Sequence, residues 1–190
     1  MGFKSVEQKI TKEISATLDN IAPEEVEQLV AAIEAAERVF FVGVGRVLLS
    51  LEGIAKRLAH LGVQTVVVGQ ITEPAITEKD LLIVGSGSGE SSLPLAIAKK
   101  AKSFGAAVAH IGSNANSSMK EYTDIFVRIP VQTKLALPGE VPSVQPMTSL
   151  FEQSLLLLGD SIALMMVEEK NIDMHSLWQY HANLESVSYT

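Results

Sequence analysis

Near-continuous apolar runs alternate along the chain with stretches in which apolar positions recur every three or four residues. The runs RVFFVG (38–43), TVVVG (65–69), LLIVG (81–85), AVAHIG (107–112) and DIFVRI (124–129) are short and rich in β-branched residues. That is the pattern of strands buried on both faces. Helical spacing fills 47–61, 91–104 and 117–122 between them. Two more helices, 5–20 and 23–36, precede the first strand; the second opens on Pro23, whose missing N–H costs nothing at a helix start. Strand and helix alternating at this spacing predict a parallel sheet with helices on both faces, joined by right-handed crossovers. The expected fold is a doubly wound α/β domain with a five-stranded parallel sheet, a single domain over residues 1–190. Prolines at 130, 138, 142 and 146 exclude helix or central strand over 130–146 and predict a surface loop there. A long helix at about 147–169 and a shorter one at about 174–184 follow, and with the N-terminal pair they are expected to pack on the α/β core.

Composition narrows the chemistry. A chain of 190 residues with 47% apolar content can build one well-cored domain. Fifteen Lys and Arg against 22 Asp and Glu give a net charge of −7, which disfavours nucleic acid as a partner. An anionic ligand must therefore be small and locally held. The absence of cysteine excludes disulfides, thiolate catalysis and a Cys-type zinc site, and the reducing cytoplasm is the expected compartment. The N-terminal segment MGFKSVEQKITKEI carries acids and lacks the apolar core of a signal peptide. LLLLGDSIALMM reads as too short and interrupted to span a bilayer, so a soluble protein with no membrane partner is expected. The same region, SLFEQSLLLLGDSIALMM, is apolar nearly all round, and a helix of that kind is covered on every side. A partner subunit is expected to help cover it.

Ligands of open parallel sheets sit beyond the carboxyl ends of the strands. Three loops occupy that position: GVGRVLLS (43–50), GSGSGESS (85–92) and GSNANSS (112–118), each leading into a predicted helix. In the second, Gly85, Gly87 and Gly89 let the backbone turn tightly and approach a ligand. The N–H groups opening the 91–104 helix carry the positive end of its dipole, so an anion fits. Ser86, Ser88 and Ser91 add hydroxyls, and a monophosphate has enough acceptor oxygens to use them all. Glu90 is the one carboxylate in the loop. No Lys-Ser/Thr pair follows, which argues against a nucleotide P-loop. The bland alternative is that glycine and serine merely make a loop and cap a helix.

GSGSGESS after a strand, GVGR at the first strand–helix turn, RLAHLG, QPMTSLFEQ and HANLE together resemble the 6-phospho-3-hexuloisomerase family of sugar isomerase (SIS) domains. The similarity runs from about residue 20 to 185. It implies conversion of D-arabino-3-hexulose 6-phosphate, the product of formaldehyde fixation, into fructose 6-phosphate, as in the ribulose monophosphate pathway. It also implies a homotetramer, a phosphosugar ligand, and no metal or organic cofactor. By the resemblance SGSGES (86–91) is the phosphate loop, so Ser86, Gly87, Ser88, Gly89, Glu90 and Ser91 are substrate-binding candidates. Glu152 in SLFEQ is the implied proton acceptor. Its neighbours Leu150, Phe151 and Leu155 are apolar, and partial desolvation would raise its pKa and make it a better base.

The first loop departs from the family. Members carry GRSG, whereas this chain reads GRVL, with Val47 where a serine contacts substrate. The Arg46 guanidinium or the N–H of Val47 would then have to replace a hydrogen bond. That departure leaves open a non-catalytic phosphosugar-binding or regulatory protein, or a phosphoheptose isomerase. Enediolate charge needs a donor, for which His60 and His181 have family precedent. The alternative for His60 is a helix C-terminal residue bonding the last carbonyls, and for His181 a subunit-interface residue. His110, inside a strand, reads as a satisfied core histidine, and His175 as surface.

Overall fold

The computed structural model describes residues 2–133, 137–182 and 184. Five strands, β1 (Val39–Val42), β2 (Thr65–Val67), β3 (Leu81–Gly85), β4 (Ala107–Gly112) and β5 (Ile125–Arg128), form one sheet in the order β2-β1-β3-β4-β5. Every pairing is parallel, with Val39 opposite both Thr65 and Leu81, Leu81 opposite Ala107, and Ala109 opposite Ile125. The expected doubly wound domain is thus present.

The apolar runs are continuous because successive residues feed two different cores. Val39 and Phe41 of β1, Leu81 and Ile83 of β3, and Ala109 and Ile111 of β4 pack with α2 (Pro23–Ala35), α3 (Arg46–Ala59) and α5 (Ser149–Glu169). Phe40, Val42, Leu82, Val84 and Val108 point the other way, onto α4 (Ser92–Ser103) and Met119 of the 3-10 turn Ser118–Tyr122. A buried Phe, Leu or Ile contributes about 1.5–3 kcal/mol relative to an exposed one, so neither face tolerates polar alternation. The buried carboxylate at the foot of the sheet, Asp80, takes hydrogen bonds from Nε and Nη2 of Arg38 and from the N–H and hydroxyl of Thr77. Burial alone would push its carboxyl up, but those four donors hold it below the usual carboxylate range.

Two expectations change. The shorter C-terminal helix is a 3-10 helix confined to Met174–Tyr180, and residues 183 and 185 of the HANLE segment lie outside the described residues. The long apolar run extends further than LLLLGDSIALMM: α5 has 21 residues and is long and apolar enough to cross a membrane. More than half of it is instead buried against the protein, chiefly on α3 and α1 (Phe3–Leu18). Gly159 permits this, because a Cβ there would lie 2.2 Å from Cγ1 of Ile54. Of the predicted loop, residues 132–133 and 137–146 lie exposed or half-buried as expected, whereas Pro130 and Val131 are buried. The loop is tied to α1 through Glu13, which accepts from Ser143 Oγ (2.7 Å), the Val144 N–H (2.9 Å) and Gln145 Nε2 (3.0 Å).

Candidate active site

In the order β2-β1-β3-β4-β5 the winding reverses between β1 and β3, and such a switch point opens a crevice beyond the strand ends. Two of the three loops singled out above flank it. After β1, Gly45 at φ +58° turns the chain into α3, so Arg46 stands at the helix start. After β3, residues 86–91 lead into α4.

The serine hydroxyls of the second loop bond within the loop. Ser86 Oγ accepts the Gly89 N–H at 3.1 Å and lies 3.3 Å from Ser91 Oγ, while Ser88 Oγ accepts the Glu90 N–H at 3.2 Å. Ser91 is the N-cap of α4 but makes no side-chain cap bond, so the first-turn donors of α4 are not taken up by it. The N–H groups of Gly87 and Ser88 bond to no described residue. The loop therefore does more than cap a helix: it holds several donors at a helix N-terminus, the arrangement that binds a phosphate. The Glu90 side chain is engaged within the fold. Its Oε1 accepts the Ser118 N–H at 2.8 Å, fastening the loop to the next 3-10 turn. A carboxylate turned to the anion would repel it, and the Ser118 bonds also hold Glu90 below its ordinary pKa.

Glu152 comes to the same crevice from α5. It is 7% exposed, among buried Leu150, Phe151 and Leu155 as expected from the sequence. Its surroundings are nevertheless not purely apolar. Oε2 is ion-paired with Arg46 Nε, and Oε1 accepts from Thr148 Oγ1 at 3.0 Å. Ser50 Oγ of α3 donates to the Glu152 carbonyl at 2.9 Å, locking the two helices at this level. The Phe151 ring lies beneath Gly87, 3.6 Å from where a Cβ would stand, so Glu152 and the glycine-serine loop share a wall. Arg46, expected to replace the hydrogen bond lost with Val47, is bonded to the Glu152 carboxylate. Thr148 and Ser50 went unassigned in the sequence. The T-x-x-x-E spacing, which puts Thr148 and Glu152 one helical turn apart, is the signal that could have found the first.

The Val47 side chain packs on apolar neighbours. Its Cγ1 lies 2.9 Å from where a Gly85 Cβ would stand and 3.3 Å from the same point at Gly43, on the apolar floor beside Leu51. A serine hydroxyl in that position would meet hydrocarbon. Val47→Ser is expected to lower stability by about 1 kcal/mol without tightening fructose 6-phosphate binding. Urea denaturation and calorimetric titration check this, and a tenfold gain in affinity would refute it.

His60 does not reach Glu152 within one chain. It is the C-cap of α3, whose 14 residues separate it from Arg46 by about 21 Å along the axis. Its ring stacks on His181 with centroids 5.4 Å apart, and its Nε2 is buried with no hydrogen-bond partner among the described residues. It therefore does not bond the last helix carbonyls through its ring. Burial, helped by Lys56, Arg57 and His181, pushes its pKa down. His175 is exposed, and His110 is buried with Nε2 2.8 Å from the Ser86 carbonyl, a satisfied core histidine. Among the described residues no three His, Asp or Glu side chains gather to hold a metal ion.

Fold and crevice together define a doubly wound α/β protein with a buried carboxylate near a glycine-serine loop at a helix N-terminus. The chain belongs to the SIS domain family, whose model matches residues 32–158. It is 38% identical over 177 residues to a 3-hexulose-6-phosphate isomerase of Bacillus subtilis, covering 93% of this chain and 96% of that one. A Mycobacterium gastri protein of the same name is 36% identical, covering 93% and 88%. A Methanococcus jannaschii crystal structure, from which a molecular function of 3-hexulose-6-phosphate isomerase was inferred, superposes with a TM-score of 0.82. Its identity is 26%, over 95% of this chain and 99% of that chain.

Proposed function

We propose that the protein interconverts D-arabino-3-hexulose 6-phosphate and fructose 6-phosphate. The carrying observation is the buried carboxylate of Glu152 beside a loop whose Gly87 and Ser88 N–H groups are free to bind an anion. Near-full-length similarity to proteins named for this activity supports the reading. The phosphate docks on residues 86–91, and its charge holds the far end of an open-chain ketose toward α5. Moving the carbonyl from C3 to C2 requires removing the proton on C2 and returning one to C3, through a cis-enediol. One carboxylate lying over both carbons does both, and Glu152 takes that role. Arg46, with 65% of its side chain exposed, can swing from Glu152 to a substrate oxygen and offset the enediolate charge. A coupled assay following fructose 6-phosphate formation from the 3-hexulose tests the reading; no formation above the uncatalysed rate rejects it.

The protein acts as a homotetramer in this proposal. Leu156, Leu157, Leu164 and Met165 of α5 and Leu49 of α3 are exposed apolar side chains on neighbouring helices, a face suited to pairwise two-fold contacts. Because α3 carries His60 about 21 Å from Arg46 along its axis, an imidazole donor from His60 could come only from a neighbouring copy. Light scattering at micromolar concentration is expected to give four times the 20.4 kDa chain mass. A monomer there would overturn both the assembly and a role for His60.

A further inference from the structure

The glycine-serine loop is held in shape from below by β4 and the segment after it. The Ser113 N–H donates to the Gly87 carbonyl at 2.9 Å, the Asn114 N–H to the same oxygen at 3.3 Å, and the Met119 N–H to the Gly89 carbonyl at 3.3 Å. The Ser86 carbonyl is held by a side chain, the Nε2 of His110 at 2.8 Å. A carbonyl only accepts, so Nε2 carries the hydrogen. In a trans peptide the C=O and the following N–H point in opposite directions. Drawing the Ser86 oxygen down onto His110 therefore turns the Gly87 N–H up, toward the crevice. The Gly87 carbonyl does the same for the Ser88 N–H. Neither of these two amides bonds to a described residue.

The chain makes room for this ring at specific cost. A Cβ on Gly112 would lie 2.4 Å from His110 Nε2 and 2.6 Å from the Ser86 carbonyl, and one on Gly89 would lie 3.2 Å from His110 Cε1. The ring also leans on Phe126, with centroids 5.1 Å apart. Gly112 and Gly89 leave the room that the His110 ring occupies under the loop.

The geometry points to His110 as a positioning residue for phosphate binding: its Nε2–H fixes the 86–87 peptide so that the Gly87 amide, beside the Ser88 amide set by Ser113 and Asn114, is aimed at the anion before it arrives. The inference rests on the loop being the phosphate site of the proposed isomerase. Burial pushes the imidazole below its ordinary pKa, against the opposite pull of the Ser86 carbonyl, which keeps a neutral ring with a single N–H.

Two variants and one measurement on the unaltered protein test it. His110→Leu keeps bulk and removes the donor, whereas His110→Gln places an amide N–H near the reach of Nε2. The leucine variant is expected to weaken inorganic phosphate binding and raise KM for the sugar phosphate by about threefold to tenfold, the worth of one hydrogen bond. Its kcat should stay within about twofold, because the loop holds ground state and transition state alike. The glutamine variant should recover most of the affinity. Unchanged phosphate affinity in the leucine variant, or equal loss in both variants, would overturn the inference. Should neither variant fold, 15N NMR of the unaltered protein decides: a ring protonated at Nε2 is expected, and one protonated at Nδ1 refutes the bond. Phosphate binding without turnover in the unaltered protein would overturn the isomerase reading while leaving the aim of the loop open to the same titrations.

Discussion

Glu152→Gln is expected to lower kcat by at least about a hundredfold while leaving fructose 6-phosphate affinity within about threefold, the signature of a lost general base. Glutamine preserves the shape of a side chain that is 7% exposed, so the pocket keeps its volume. An amide can still accept the Thr148 hydroxyl but cannot take a proton from carbon, and it forfeits the ion pair with Arg46. A free Arg46 remains near the substrate, so binding should survive. Steady-state kinetics and calorimetric titration on the same preparation separate the two quantities. Retention of more than a tenth of the wild-type kcat would remove Glu152 from the base role.

Gly89→Ala should abolish phosphate binding in calorimetry without unfolding the domain. Gly89 sits at φ +70°, where a Cβ is strained, and that Cβ would fall 2.0 Å from Oγ and 2.5 Å from Cβ of Ser117, a buried residue. The loop would have to lift away, breaking the Gly89 N–H bond to Ser86 Oγ and the Met119 bond to the Gly89 carbonyl. Adding Ser117→Gly removes the collision but not the backbone strain. The double variant should therefore recover only part of the affinity. Wild-type affinity in Gly89→Ala would mean that the loop does not hold the phosphate.

Much of this site can be read from local signals. The runs of β1, β3 and β4 announce themselves because each residue, on either face, meets hydrocarbon. Glycines and serines directly after a strand mark a turn into a helix N-terminus. That His60 cannot meet Glu152 within one chain was open to arithmetic, since a helix running from Arg46 to Ala59 carries its far end about 21 Å away. Glu90 was not legible in the same way. Its sequence neighbours suggest a ligand contact, and only the return of the chain after β4 brings the Ser118 N–H to its carboxylate. Val47 is the same kind of case, since a position that looks like a missing hydroxyl is filled by packing against Gly43 and Gly85.

By itself the sequence determined the doubly wound class, the strands and helices, and the anion loop, because apolar periodicity and turn chemistry act over a few residues. Only the tertiary structure decided what surrounds Glu152. Arg46 and Glu152 stand 106 positions apart, and Ser86 and His110 stand 24 apart. No local pattern encodes such meetings. They follow from the pairing of β3 with β4 and the seating of α5 on α3, where Gly159 and Gly112 leave space that another residue would fill.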